Sequence, residues 1–158
     1  MLQPAYAEQP RDNHVRTSDA RTRAAIADGI GGSALFRDLV AQLDASDVIV
    51  YVESDCQMPP PLAGRLTFMS SVGGRRYLLV RIACSLEGRA QIAVLGHELR
   101  HAVEIADADS IVDESSLGEA YRRIGFTSTV MRTGAGYDSL AAIEAGRRVW
   151  DELSRPAE

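Results

Sequence analysis

His97-Glu98-Leu99-Arg100-His101 is the stretch of this chain whose residue types and spacing can do chemistry. On a helix, residues four apart lie about 40° apart around the axis, so the imidazoles of His97 and His101 can converge on one ion at roughly 2.0–2.1 Å. Glu98 is turned about 100° from His97. That offset keeps it out of the direct ligand set and aims it at solvent on the ion, where a general base for hydrolysis acts. The H-E-x-x-H pattern is therefore read as a hydrolytic zinc site with one Zn2+ ion. The competing structural reading is a buried helix whose histidines bond to backbone or carboxylates. Gly96 and Ala102 flank the motif and leave room for substrate or for a neighbouring backbone.

A catalytic zinc takes three protein ligands and keeps a fourth position open, so one ligand must come from outside this helix. Glu104 shares the histidine face but rises about 10.5 Å from His97, too far for the same ion. It either accepts a hydrogen bond from a ligand imidazole and fixes its tautomer, or is a partly exposed surface glutamate. Asp107 and Asp109 would need the chain to double back at once. Glu119, on a short helix expected after the following loop, is the predicted third ligand. Glu114 and Asp113, at the start of that helix, are its rivals and would equally suit a capping role. Tyr121 or Tyr137 is available to steady an oxyanion.

The elements that must position these groups are legible in outline. Ser18 can cap a helix with Ala20, Ala24 and Ala27 at helical spacing, ending at glycines 29, 31 and 32. Ser33 caps a second helix with Leu35, Phe36, Leu39, Val40 and Leu43 as its stripe. The run Val48-Ile49-Val50-Tyr51-Val52 reads as a central strand covered on both faces. Prolines 59–61 make the next connection stiff. Residues 65–71 and 76–83 then form a hairpin around Gly73-Gly74. From about Leu86 a helical stripe of Ile92, Leu95, Leu99, Val103 and Ala106 buries the helix that carries the histidines. Ser115 or Ser116 caps a short helix ending at Gly125, and residues 126–132 read as extended. A last helix over about 138–153 carries a stripe of Leu140, Ile143, Arg147, Trp150 and Leu153.

The chain has 158 residues, 46% of them hydrophobic, enough for one domain with a core and too few for two. Its net charge of −5 and scattered arginines argue against a nucleic-acid partner, and no stretch is apolar enough for a membrane span. Residues 1–15 read as a flexible tail and 16–158 as a single domain. Ala5-Tyr6-Ala7 has small residues at the spacing signal peptidase reads, but no hydrophobic region precedes it. The tail is thus either the remnant of a cleavage region, implying export to the periplasm or outside, or an alanine-containing flexible end of a cytoplasmic protein. Cys56 and Cys84 each follow a predicted strand. They either pair in an oxidising compartment or stay as two buried thiols.

At Gly96 to Ala106 the sequence resembles the active-site helix of zincin metallopeptidases. The histidine pair with a later glutamate is similar to their gluzincin branch, and more loosely to small bacterial exported proteins with a His-Glu-Leu-x-His-Ala-x-Glu helix behind a hairpin. The resemblance implies His97 and His101 as ligands, Glu98 as base, and a small mixed sheet whose edge strand, Tyr77 to Ala83, borders the cleft and pairs with an extended peptide. The consensus that accompanies the third gluzincin ligand is not evident around Glu119. A third histidine in metzincin spacing is lacking. The expectation is an α+β, zincin-like domain, with the hairpin packed on a central H-E-x-x-H helix between N- and C-terminal helices. It would hydrolyse peptide or protein substrates. The alternative is a non-catalytic module, with or without zinc, that grips a partner strand at the hairpin edge.

Overall fold

β-Branched and aromatic residues fill the segment 48–52, which pairs on both sides within the sheet. The computed structural model describes residues 13–124, 126–127 and 137–156. The elements run β1 (Val15–Arg16), α1 (Ala20–Gly32), α2 (Ala34–Asp44), β2 (Val48–Asp55), β3 (Gly64–Val72), β4 (Arg75–Ala83), α3 (Gly88–Ala106), α4 (Glu114–Ile124), β5 (Phe126–Thr127), β6 (Tyr137–Asp138) and α5 (Leu140–Ser154). The mixed main sheet has the order β1-β2-β4-β3, parallel except for the β3–β4 hairpin, and β5 pairs with β6 separately. The α+β class read from the sequence is the class observed. Among the described residues no helix is long and apolar enough to cross a membrane.

One face of the sheet carries Val48, Val50, Val52, Leu78, Val80 and Ile82 into a core shared with Phe36, Leu39, Leu43, Leu95 and Leu99. The other face is more open than the continuous apolar run of β2 suggests: Tyr51 stacks on Tyr77 and Glu53 pairs with Arg81 toward solvent. The edge assignment is also corrected. β4 is flanked by β2 and β3 along its whole length, so the strand Tyr77 to Ala83 is interior and β3 is the edge. Ala83 N–H donates to Ala63 O at 2.8 Å, which sets the antiparallel alternation. Gly64, Leu66 and Phe68 accordingly direct their peptide groups to the outer edge. A bulge at Met69 then breaks the regular pairing.

Several local expectations shift for identifiable reasons. Asp19, rather than Ser18, caps α1, accepting from the N–H groups of Arg21 and Thr22. Ser33 caps α2 as expected. Asp113 and Ser116 cap α4 together: Asp113 Oδ1 accepts from Ser116 N at 2.7 Å. The chain joins the sheet earlier than its polar start implies. His14 is buried, with Nδ1 2.9 Å from Val48 O, and β1 pairs beside it. On α5 the predicted stripe is only partly buried: Leu153 packs against the core, but Leu140 is 74% and Trp150 41% exposed. The buried face is Ala142, Ala145 and Val149, because small residues let α5 approach α3 closely. Residues 128–132 of the expected extended segment lie outside the described residues. Cys56 and Cys84 form a disulfide joining the ends of β2 and β4, with Cα atoms 4.9 Å apart.

The C-terminal end of α3 is tied to the sheet by one side chain. Buried Arg76, on the core face of β4, donates to the carbonyls of Ile105, Ala106, Ala108 and Ile111 and makes a two-point pair with Asp47. Ile105 O and Ala108 O also accept the N–H groups of Ala108 and Ile111, and Arg76 adds a second donor to each where the helix runs out of its own. The Arg76 hydrogen bonds hold the Asp47 carboxyl below its ordinary value against the cost of its burial. A depressed carboxyl contributes stability above its unfolded pKa and loses it as the pH falls through the folded value. Asp47 is partly exposed, so Asp47→Asn is expected to cost about 1 kcal/mol at pH 7. The gap from wild type in urea unfolding should narrow as the pH falls below the ordinary aspartate range, and a gap unchanged with pH would contradict the assignment.

Candidate metal centre

The helix bearing the motif is fixed on two sides. Leu95, Leu99 and Val103 bury against the sheet, and truncating such a leucine typically costs about 2–5 kcal/mol. On another side α5 presses in through small residues. A Cβ on Gly96 would come within 2.9 Å of Val149, and one on Gly146 within 3.3 Å of His97 Cβ and Ala93 O. This close approach brings the start of α5 beside His97. The residue just before its cap, Asp138, therefore reaches the histidine pair.

Three acceptor atoms meet there. His97 Nε2 and His101 Nε2 lie 3.2 Å apart, and Asp138 Oδ1 is 3.1 Å from the first and 3.3 Å from the second. Ligand atoms bound at 2.0–2.1 Å around a tetrahedral ion lie roughly 3.3–3.4 Å from one another, so the donor set fits zinc in type and spacing. Ser139 N–H donates to the same Asp138 oxygen at 2.8 Å and orients it.

The surrounding hydrogen bonds decide which ring nitrogen of His101 is free. Tyr121 O–H donates to Glu104 Oε2 at 2.8 Å, so its oxygen accepts from His101 Nδ1 at 2.9 Å. The neutral imidazole then carries its proton on Nδ1 and turns the Nε2 lone pair toward His97 and Asp138. Glu104 is held in turn by Ser139 Oγ, which donates to Oε1 at 2.6 Å while capping α5 at Ala142 N. The expectation that Glu104 steadies a histidine rather than joining the ligand set agrees with this geometry, with Tyr121 as the intermediary.

Charge at the centre is balanced by these contacts. Burial opposes protonation of His101, yet hydrogen bonds to Asp138 and Glu104, with Glu98 nearby, raise it to about 9. Burial likewise opposes ionisation of Asp138, but the His101 and His97 bonds hold its carboxyl well below the usual range. Burial raises the Tyr121 phenol, and Glu104 raises it further. Glu104 is lowered despite burial by bonds from His101, Ser139 and Tyr121. Burial pushes Glu98 up; the two histidines pull it back and Asp138 adds to the rise. The first residue of β3 lies directly over this carboxylate. A Cβ on Gly64 would come within 2.8 Å of Glu98 Oε1 and of Val94.

The predicted residues thus divide. His97, Glu98 and His101 are brought together. Glu119 is not: it lies on the exposed face of α4 in an ion pair with Arg123 at 3.0 Å, and Asp138 stands where the third acid was expected. Asp113 is used as a helix cap, and exposed Glu114 accepts from Phe68 N–H of β3 at 2.5 Å. Tyr121 faces His101, and the side chain of Tyr137 lies outside the described residues. Asp138 carries a local signal, an acid followed by Ser139 at the start of a helix, but that pattern alone reads as a cap.

Comparison with known proteins yields nothing: no family model matches the chain, and neither curated proteins nor solved structures give a significant match. The functional reading rests on the geometry described above. Tyr121→Phe removes the nearer partner of His101 Nδ1 and leaves only the longer 3.4 Å approach to Glu104 Oε2; if the centre takes zinc, its affinity in chelator competition is expected to fall about tenfold. An affinity equal to that of the wild type would show that the tyrosine does not position the ring.

Proposed function

We propose that this protein is a zinc-dependent peptide hydrolase in which His97, His101 and Asp138 hold the ion and Glu98 is the general base. The observation that carries the reading is the meeting of three acceptor atoms at 3.1–3.3 Å beside a buried carboxylate. Bound zinc would polarise the substrate carbonyl and acidify water at its open position. Glu98 takes the proton of the attacking water and delivers it to the leaving amine. A carboxyl raised by burial suits both halves of that transfer. Tyr121, Glu104 and Ser139 hold His101 in the tautomer that ligation needs.

The outer edge of β3 supports a peptide as substrate. The edge offers peptide groups at Gly64, which lies against Glu98, and at Leu66 two residues on, to which an extended chain can add as a strand. The disulfide supports an exported protein, since such bonds persist in oxidising compartments.

Glu98→Gln is expected to keep one zinc per chain by elemental analysis and to lower cleavage of an unfolded protein by about 10²–10⁴-fold. His97→Ala and Asp138→Ala should lose both zinc and cleavage, whereas Glu119→Ala should keep both. Chelator-insensitive cleavage, or zinc content unchanged in Asp138→Ala, would overturn the proposal.

A further inference from the structure

Among the described residues, no strand pairs with the outer edge of β3. Gly64 lies against Glu98, Leu66 follows with its peptide group outward, and at Phe68 the outward N–H is occupied by Glu114 Oε1. One residue further, the bulge at Met69 shifts the register, and pairing with β4 resumes from Ser70 to Val72. From Gly64 to Phe68 is about 13 Å of strand, room for roughly four ligand residues. A chain continuing past that point along the edge would have to displace the Glu114 carboxylate.

A chain end that stops there meets a negative charge. A terminal carboxylate would be repelled and a terminal ammonium attracted, and Glu114 is exposed, so a ligand can reach it. Because β3 runs from Glu98 toward Glu114, a peptide with its amino end at Glu114 lies antiparallel to β3 and continues toward the histidines. From this we infer that Glu114 is a specificity-determining residue that closes the strand edge and selects extended peptides by a free amino terminus, so that cleavage releases a short amino-terminal fragment. The inference rests on the peptide-hydrolase reading of the same centre.

The test uses an unstructured eight-residue peptide with a free or an acetylated amino terminus, offered to zinc-loaded wild type and Glu114→Gln, with products read by mass spectrometry. The glutamine keeps an acceptor for Phe68 N–H and removes the charge. Wild type is expected to prefer the free amine by about tenfold in kcat/KM and to cut within about four residues of it, and Glu114→Gln should remove the preference. Binding of the same two peptides to zinc-loaded Glu98→Gln, by calorimetry, reads docking without turnover. Preferential binding of the free amine without any cleavage by wild type would sustain the edge assignment and refute hydrolysis. Equal binding, no binding, or cleavage of both peptides at equal rates would overturn the role of Glu114.

Discussion

Three acceptor atoms cannot be held within about 3.3 Å of one another without positive charge among them. In this chain those atoms come from two histidines one turn apart and from an aspartate more than thirty residues later. A proton on His101 supplies the charge in the free protein, and a divalent cation would supply more of it at the same point. Much of the surrounding structure bears on this constraint. Glycines at 96 and 146 let α5 come close enough to deliver Asp138, and Arg76 anchors the far end of α3 to the sheet.

The same few residues link stability to function. Ser139 caps α5, holds Glu104 and, through its N–H, orients Asp138. The start of a helix and the orientation of a candidate ligand are therefore one arrangement. Gly64 performs a comparable double task, beginning the edge strand while leaving space for the Glu98 carboxylate. Alanine there would force either the strand or Glu98 to move. Polar groups held at fixed distances by packed elements need little reorganisation when a reaction demands them.

The motif helix, the hairpin and the helix capped by Ser33 were legible because each is a local pattern: a period of 3.6, a pair of glycines, a cap. That Glu104 is not a ligand was legible too, since helical rise alone excludes it, but its contact with His101 and Tyr121 was not. The partner from outside α3 was not. Glu119 was favoured for its place on the next helix, but local sequence does not reveal that α4 turns this residue to solvent and that α5 returns to the histidines. The α5 face was misread for a related reason. Spacing picked out the large residues Leu140 and Trp150, whereas close helix packing selects Ala142, Ala145 and Val149. Arg76 shares the parity of Leu78, Val80 and Ile82, so its inward position was written in the alternation although its carbonyl partners were not.

Zinc-edge anomalous diffraction from crystals grown with zinc addresses the central claim most directly, because it locates the ion and its ligands without relying on turnover. One ion is expected, bound by His97 Nε2, His101 Nε2 and Asp138 Oδ1, with Glu98 beside it. Crystals without zinc at this point, or an ion ligated by Glu98 or a fourth protein side chain, would contradict it.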